Sequence, residues 1–334
     1  MKILIVQTSF LGDTILSTPV ITGIKQVYPD AELWMMTTPL STHLVRRDPL
    51  LAGVIAYDKR GKDKGFSGLF AMARRLRAMG FDRVYSLHRS YRTAALLFLA
   101  KIPVRIGFRE ARLRFMYHQT FARNPKDHDV LRNLTILRGH GEPESFSTDL
   151  RLFAPERSEL PEAVQALVPD GPYAVLVPGS AWETKMWHHQ GFRQTALYLM
   201  EKGFTVLLLG APEDRETNAR VADGTAAVDL AGKTSVSDAL YIVRNASLVV
   251  CNDSMSLHMA SAFRIPTVAV FCATSPSFGF GPWQNRARVV EKDLPCRPCS
   301  RHGQRRCPLG TGACMNDLSA NDVIDAINDL MEMT

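Results

Sequence analysis

The stretch Ile3-Leu4-Ile5-Val6-Gln7-Thr8-Ser9-Phe10-Leu11-Gly12-Asp13-Thr14 decides the fold. Ile3 to Val6 is a short apolar run and reads as a buried strand. Beyond Asp13, the residues Ile15, Leu16, Val20, Ile24 and Val27 recur at helical spacing. Gly12 and Asp13 therefore sit where a strand has ended and a helix begins. In an open α/β sheet, ligands bind at that edge, outside the carboxyl ends of the strands. Asp13 is thus a candidate functional carboxylate. Asp is also a favoured N-cap, so a second reading makes it only the cap of its helix.

The same grammar repeats outward. Strands are expected at Glu32–Thr37, Leu51–Tyr57, Phe81–Leu87 and Val104–Phe108, with helices over 66–79, Thr93–Ala100 and Asp127–Gly139. A Pro-rich stretch over 141–170 follows, with a short helix near Glu162–Leu167. The alternation then restarts with strands at Tyr173–Val177, Phe204–Leu209, Ala226–Leu230, Leu248–Cys251 and Thr267–Phe271. Helices are expected at Phe192–Lys202, Ser237–Asn245 and Ser256–Phe263; residues 274–318 read as largely loop, and Asn321–Met333 as an amphipathic helix capped by Ser319 or Asn321. Such alternation predicts an α/β protein of two doubly wound, mostly parallel sheets. The expected division is 1–155, a linker over 156–170, a second domain over 171–318, and a terminal helix over 319–334 free to pack back on the first domain.

At 334 residues, two domains are the natural prior. Hydrophobic residues are 46% and charged residues 22%, ordinary for a globular chain. No apolar run approaches the roughly 20 residues that span a bilayer, and the opening run is too short for a signal peptide, so a cytoplasmic location is expected. The net charge of +7 is uneven: residues 1–150 hold 23 Lys and Arg against 13 Asp and Glu, residues 151–334 hold 17 against 20, and residues 59–114 alone hold 15 against 3. A basic patch of that density points to an anionic partner: nucleic acid, an acidic membrane surface or a phosphorylated glycolipid. A merely solvated basic face is the plainer reading.

Neither half carries GxGxxG after its first strand, and no Walker A sequence is present, which weighs against a dinucleotide-dependent dehydrogenase. Three loops of the second half instead hold phosphate-binding groups. Pro178–Trp187 offers Gly179, Ser180 and Lys185; Leu230–Ser235 offers Gly232, Lys233 and Thr234; Asn252–His258 offers Asp253, Ser254, Met255 and Ser256 at a helix start, whose amides favour a diphosphate. Taken singly, each is a turn, and His258 a structural histidine. Taken together, at one edge of one sheet, they form a candidate donor site.

On KILIVQTSFLGDTILSTPVI, PGSAWETKMW, LAGKTSVSDAL, NDSMSLHMASAF and the late CRPC…CP…CM segment, the chain resembles the ADP-heptose:lipopolysaccharide heptosyltransferases of glycosyltransferase family 9. The likeness runs in order over nearly the whole chain and is greatest to heptosyltransferase II-like members. It implies the GT-B fold, two Rossmann-like domains facing across a cleft, with the acceptor on the N-domain and the nucleotide sugar on the C-domain. It implies an inverting transfer of heptose from ADP-heptose to the lipopolysaccharide inner core, with no cofactor required. Asp13 falls on the family's general base, Lys185 on its phosphate lysine, and Asp253, Ser254 and His258 on its donor turn. Asp253 would bind sugar hydroxyls. Met255 departs from the pattern, standing where the family commonly has glycine, and this bears on which sugar is carried. Another nucleotide sugar or glycan acceptor is therefore the near alternative.

The basic half then has an anionic acceptor, with Gly12, His88, Arg89, Arg92, Arg109 and Arg112 as candidate contacts and peripheral binding to the inner face of the inner membrane as a further expectation. Lys59, Arg60, Lys62, Lys64 and Arg114 belong to the same basic set. The stretches Ala94–Ala100 and Phe115–Tyr117 are read as core rather than lipid contacts. Cys296, Cys299, Cys307 and Cys314 are spaced C-x2-C-x7-C-x6-C, compatible with four-thiolate zinc; the resemblance tempers that reading, and no metal is assigned. Cys251 and Cys272 read as core. The remote alternative is a nucleic-acid binder with a four-cysteine metal module; no interleaved aromatic platform supports it, and no nucleic acid is expected as partner.

Overall fold

A computed structural model describes residues 1–332. The chain divides into two compact units, Met1–Phe153 and Ala154–Thr334.

The first unit is one parallel sheet of strands β1 (Lys2–Gln7), β2 (Glu32–Thr37), β3 (Gly53–Ala56), β4 (Arg83–Ser86), β5 (Val104–Phe108) and β6 (Gln119–Phe121), in the order β3-β2-β1-β4-β5-β6. Its helices are α1 (Leu11–Leu16), α2 (Pro19–Val27), α3 (Thr42–Val45), α4 (Gly65–Met79), α5 (Tyr91–Leu99) and α6 (Asp129–Leu134). β1 is central, pairing with β2 and β4, and Ile3 to Val6 have no exposed surface. A strand buried on both faces needs a continuous apolar run rather than alternation, and ILIV supplies it. On one face, Leu4, Val6 and Met36 meet Leu69, Met72 and Leu76 of α4 and Leu96 and Leu97 of α5. The single helix expected after Asp13 is two, because Pro19 lacks the N–H to continue α1 and instead opens α2. The short edge strand β6 is absent from the sequence reading.

The second unit repeats the design with β7 (Tyr173–Val177), β8 (Thr205–Leu208), β9 (Val228–Asp229), β10 (Leu248–Asn252), β11 (Thr267–Val270) and β12 (Ala287–Val290), ordered β12-β11-β10-β7-β8-β9. Its helices are α7 (Glu162–Gln165), α8 (His189–Glu201), α9 (Arg215–Ala222), α10 (Val236–Arg244), α11 (Met255–Ala262), α12 (Ala313–Asn316) and α13 (Ala320–Glu332). Each sheet thus has the Rossmann order 3-2-1-4-5-6 in its own strand count. Strand β12 and helix α12 lie within 274–318, where largely loop is expected. The expected linker folds onto this unit: Leu160 and Val164 are buried, Arg157 pairs with Asp170, and Arg244 with Glu156.

Helix α13 is capped by Ser319, whose Oγ accepts from Asp322 N while Asp322 Oδ2 accepts from Ser319 N. It packs on α8, β11 and β12, and puts Val323, Ile327 and Leu330 into this unit's core. The expected helix end at Met333, like Thr334, lies outside the described residues.

Candidate functional site

Strand order reverses beside β1 in the first sheet and beside β7 in the second, so the loops after β1 and β4, and after β7 and β10, flank two switch points where ligands bind in this architecture.

Asp13 stands on the first of these edges. It is the third residue of α1, not the N-cap; the N-cap is Phe10, whose backbone N–H donates to Asp13 Oδ2 at 3.1 Å. The carboxylate thus satisfies one orphan amide of the helix start while its other oxygen is left for further contacts. Burial, reinforced by the negative charge of Asp129, pushes its pKa up to about 6, against the opposing Phe10 N–H, Arg123 and Arg89. Behind it lies a buried polar network that sequence reasoning missed. Asp129 pairs with Arg123 and lies 3.6 Å from Arg132 Nη1. Asn133 Nδ2 donates to Asp129 Oδ2 at 3.1 Å and to the carbonyl of Leu16 at 3.2 Å, binding α6 to the end of Asp13's own helix.

Across the switch point, His88 follows β4. Lys59 Nζ donates to Thr8 Oγ1 at 3.2 Å and approaches His88 Nε2 at 3.4 Å, while His88 Nδ1 lies 2.7 Å from Thr93 Oγ1 and 3.0 Å from Thr8 Oγ1. Burial and the Lys59 charge push the imidazole down to about 3, so it is neutral. With an ammonium at Nε2, the ring proton belongs on Nδ1. Burial, with Arg60 and Arg92 nearby, holds Lys59 down at about 8. Arg89, Arg109 and Arg112 are exposed, and Arg112 N bonds the carbonyl of Arg89 at 3.0 Å, so two of these cations share one rim. Arg92 is half-buried: Nε donates to Tyr57 OH at 2.8 Å and Nη2 to the carbonyl of Asp63 at 2.6 Å, which ties α5 to the loop after β3. Gly12 lies in the first turn of α1, beside Asp13.

On the second unit's edge, Asn252 fastens two loops. Its Oδ1 accepts from Trp187 N at 3.0 Å and its Nδ2 donates to the carbonyl of Pro178 at 2.7 Å, both buried. Lys185 is thereby brought to Asp253, Nζ to Oδ2 2.7 Å, and Thr274 Oγ1 donates to the same oxygen at 2.7 Å. Lys185 is therefore a paired cation, and Asp253 faces an ammonium and a hydroxyl. Ser254 caps α11 by backbone alone; among the described residues its buried Oγ has no hydrogen-bond partner. Met255 is the first residue of α11, and Ser256 and His258 are buried in it.

Gly179 has no Cβ because the Asp214 carboxylate lies 2.2 Å from where one would be. Ser180, next in that loop, is half-buried. Gly232 adopts φ +67°, a left-handed conformation suited to glycine, and Lys233 Nζ donates to the carbonyl of Asp229 at 2.8 Å. Thr234 is half-buried just before Ser235, the N-cap of α10.

The cysteine-rich segment walls this edge. Gln304 exchanges hydrogen bonds with Thr184, Cys299 N donates to the carbonyl of Ala273 at 2.9 Å, and a Cβ on Gly303 would meet Lys185 Cγ at 2.9 Å. Arg297, its side chain 7% exposed, donates to the carbonyls of Phe271, Cys272, Thr274 and Lys292 and to Glu291. The six cysteines are free thiols, with Cys251, Cys272 and Cys314 buried. Burial and the neighbouring thiols push Cys299 and Cys314 up, while the backbone N–H groups of Gly312 and Leu309 hold Cys307 down. Among the described residues no three His, Cys, Asp or Glu side chains are grouped to hold a metal, so the spacing of the four late cysteines is not matched by a gathered ligand set.

The Asp129 network, Asn252, Thr274 and Asp214 went unassigned in the sequence. Only Asn252 carried a signal, as the polar residue ending a wholly apolar strand.

The chain is 24% identical to lipooligosaccharide heptosyltransferase 2 of Campylobacter jejuni over 99% of both chains. Among solved structures, a family 9 glycosyl transferase from Veillonella parvula matches with TM-score 0.87 and 22% identity, over 100% of this chain and 98% of that one. ADP-heptose lps heptosyltransferase II of E. coli matches with TM-score 0.80 and 22% identity, over 100% and 99%. These likenesses give the GT-B fold. The family model described as glycosyltransferase family 9 (heptosyltransferase) matches residues 69–309, and the chain belongs to that family.

Proposed function

We propose that this glycosyltransferase moves a heptose from ADP-heptose to an anionic sugar of the lipopolysaccharide inner core, with inversion. The carrying observation is the Asp13 carboxylate at a sheet switch point, with a pKa near 6: ionised at neutral pH, yet basic enough to take a proton. The acceptor hydroxyl oxygen attacks the anomeric carbon, its proton passes to Asp13, and the bond from that carbon to the diphosphate oxygen breaks. Lys185 and the first amides of α11 meet the charge that develops on the departing diphosphate. Lys185 would then share its ammonium between Asp253 and the phosphates, while Ser180, Gly232, Lys233, Thr234, Ser254, Ser256 and His258 shape the rest of the donor site. His88, Arg89, Arg109 and Arg112, with Gly12, meet the acceptor; Arg92 supports them from behind.

Met255 at the first position of α11 keeps a second donor sugar in view. The reaction is expected at the cytoplasmic face of the inner membrane, with the protein bound peripherally; among the described residues no helix is long and apolar enough to cross a membrane. The test is a screen of sugar nucleotides with truncated lipopolysaccharide, read by mass spectrometry, beside calorimetry of ADP. Asp13→Ala should abolish transfer and keep ADP affinity. Normal turnover in that variant would end the base assignment, and transfer from another donor alone would move the reading to Met255.

A further inference from the structure

The strands of the first sheet are parallel, so every loop that follows a strand emerges at the same edge. Each of the first five strands is followed by a large apolar side chain left in water: Phe10 after β1, Leu40 after β2, Phe66 after β3, Tyr91 after β4 and Phe115 after β5, all at least 59% exposed, so that of the stretch expected in the core Tyr117 is buried and Phe115 is not. Scattered exposed apolar residues are ordinary, but one per loop along a single edge is a patch.

Hydrogen bonds draw three of these loops together. Arg92 Nη2 donates to the carbonyl of Asp63, joining the base of Tyr91 to the segment that carries Phe66. Arg112 N donates to the carbonyl of Arg89, joining that base to the segment that carries Phe115. The side chains beside them are exposed cations: Lys62, Lys64, Arg89, Arg112 and Arg114. No acidic residue other than Asp63 and Glu110 stands in the three loop segments 59–66, 88–92 and 109–115.

We propose that Phe66, Tyr91 and Phe115, with the cations around them, form a docking surface for an anionic lipid bilayer. Phe rings insert just below the headgroups, a Tyr ring settles at their level with its hydroxyl wet, and Lys and Arg are drawn to the negative surface there. A bilayer of anionic headgroups meets exposed positive charge spread over three loops at once, and that complementarity is what favours it over a protein partner. The surface borders the edge that carries Asp13, so docking presents that edge to a sugar carried on a lipid. This last step rests on the glycolipid-acceptor reading above; the docking does not.

The test is sedimentation of the full chain with vesicles of phosphatidylcholine alone or with phosphatidylglycerol, without donor or acceptor. Binding should be about tenfold or more stronger to the anionic vesicles and weaken with salt. The triple variant Phe66→Ser, Tyr91→Ser, Phe115→Ser and, separately, Lys62→Glu with Lys64→Glu and Arg114→Glu should each lose that binding by about tenfold or more while melting as the parent does. Transfer to a deacylated, water-soluble acceptor should stay unchanged in the aromatic variant, and transfer to vesicle-borne acceptor should fall. Equal binding to both vesicle types, undiminished binding in both variants, or a polynucleotide that displaces the vesicles at lower concentration would each overturn the proposal. Absence of transfer to any acceptor, with vesicle binding intact, would count against the glycosyl-transfer reading alone.

Discussion

Asp13 couples function to stability in a way that can be measured. Its folded pKa, near 6, lies above the ordinary carboxylate value of 3.8, so between those pH values the folded chain holds a proton that the unfolded chain releases. That contribution is fully present below the lower value and is lost as pH rises through the upper one. At pH 8 the ionised, half-buried carboxylate therefore costs stability, on the order of 1–2 kcal/mol after allowance for solvent. Asp13→Asn should raise Tm at pH 8, and the gain should shrink as pH falls from 6 towards 4; a variant less stable than the parent at pH 8 refutes the buried-base picture. The rate carries the other half of the sign. A base must be ionised, so kcat/KM should fall as pH drops through about 6. Asp129→Asn removes the neighbouring negative charge and releases Arg123 towards Asp13, both of which lower the Asp13 pKa. The acid limb of the pH–rate profile should move down, by up to about one unit. A limb that stays in place would show that Asp129 serves only to hold α6 against α1.

At the scale of elements, what was legible in the sequence is what is local. Continuous apolar runs such as ILIV and YAVLV mark central strands, because both of their faces are buried. The edge strands β6 and β12 escaped, since QTF and ARVV are short, partly exposed and unremarkable apart from the sheet that receives them. The candidate loops were found because they follow strands; their internal partners were not, because Lys185 meets Asp253, and Asn133 meets Leu16, only after distant segments have packed. The cysteine-rich segment shows the limit most sharply. Its spacing fits zinc, but its hydrogen bonds show a strap over the Lys185 loop, held by Arg297. Arg297→Met would strand the carbonyls of Phe271, Cys272, Thr274 and Lys292 and cost about 3 kcal/mol or more. Because Thr274 also holds Asp253, ADP affinity should fall with it. Arg297→Lys should rescue little, since one ammonium cannot span the fork of contacts a guanidinium makes. Thermal melts and ADP calorimetry on both variants decide this; an unchanged Tm in the Met variant would show that the strap does not depend on Arg297.

At the scale of the whole chain, the two units share a topology and differ in charge, and the charge follows the substrates proposed for them. The first 150 residues carry an excess of ten positive charges, while the remainder is slightly acidic and keeps its proposed phosphate contact as a partly buried Lys185–Asp253 pair. Exposed charge is screened within about 10 Å at 0.1 M salt and about 3 Å at 1 M, whereas a partly buried pair is screened far less. Salt should therefore separate the two binding steps. Between 50 and 500 mM NaCl, kcat/KM for an anionic acceptor should fall by roughly tenfold, through slower encounter with the basic rim, while calorimetric affinity for ADP should change by about threefold or less. Charge reversal at Lys62 and Lys64 should flatten the acceptor's salt dependence and leave that of ADP untouched. If both affinities fall in parallel, the uneven charge does not steer the acceptor, and the basic region must be serving the membrane surface alone.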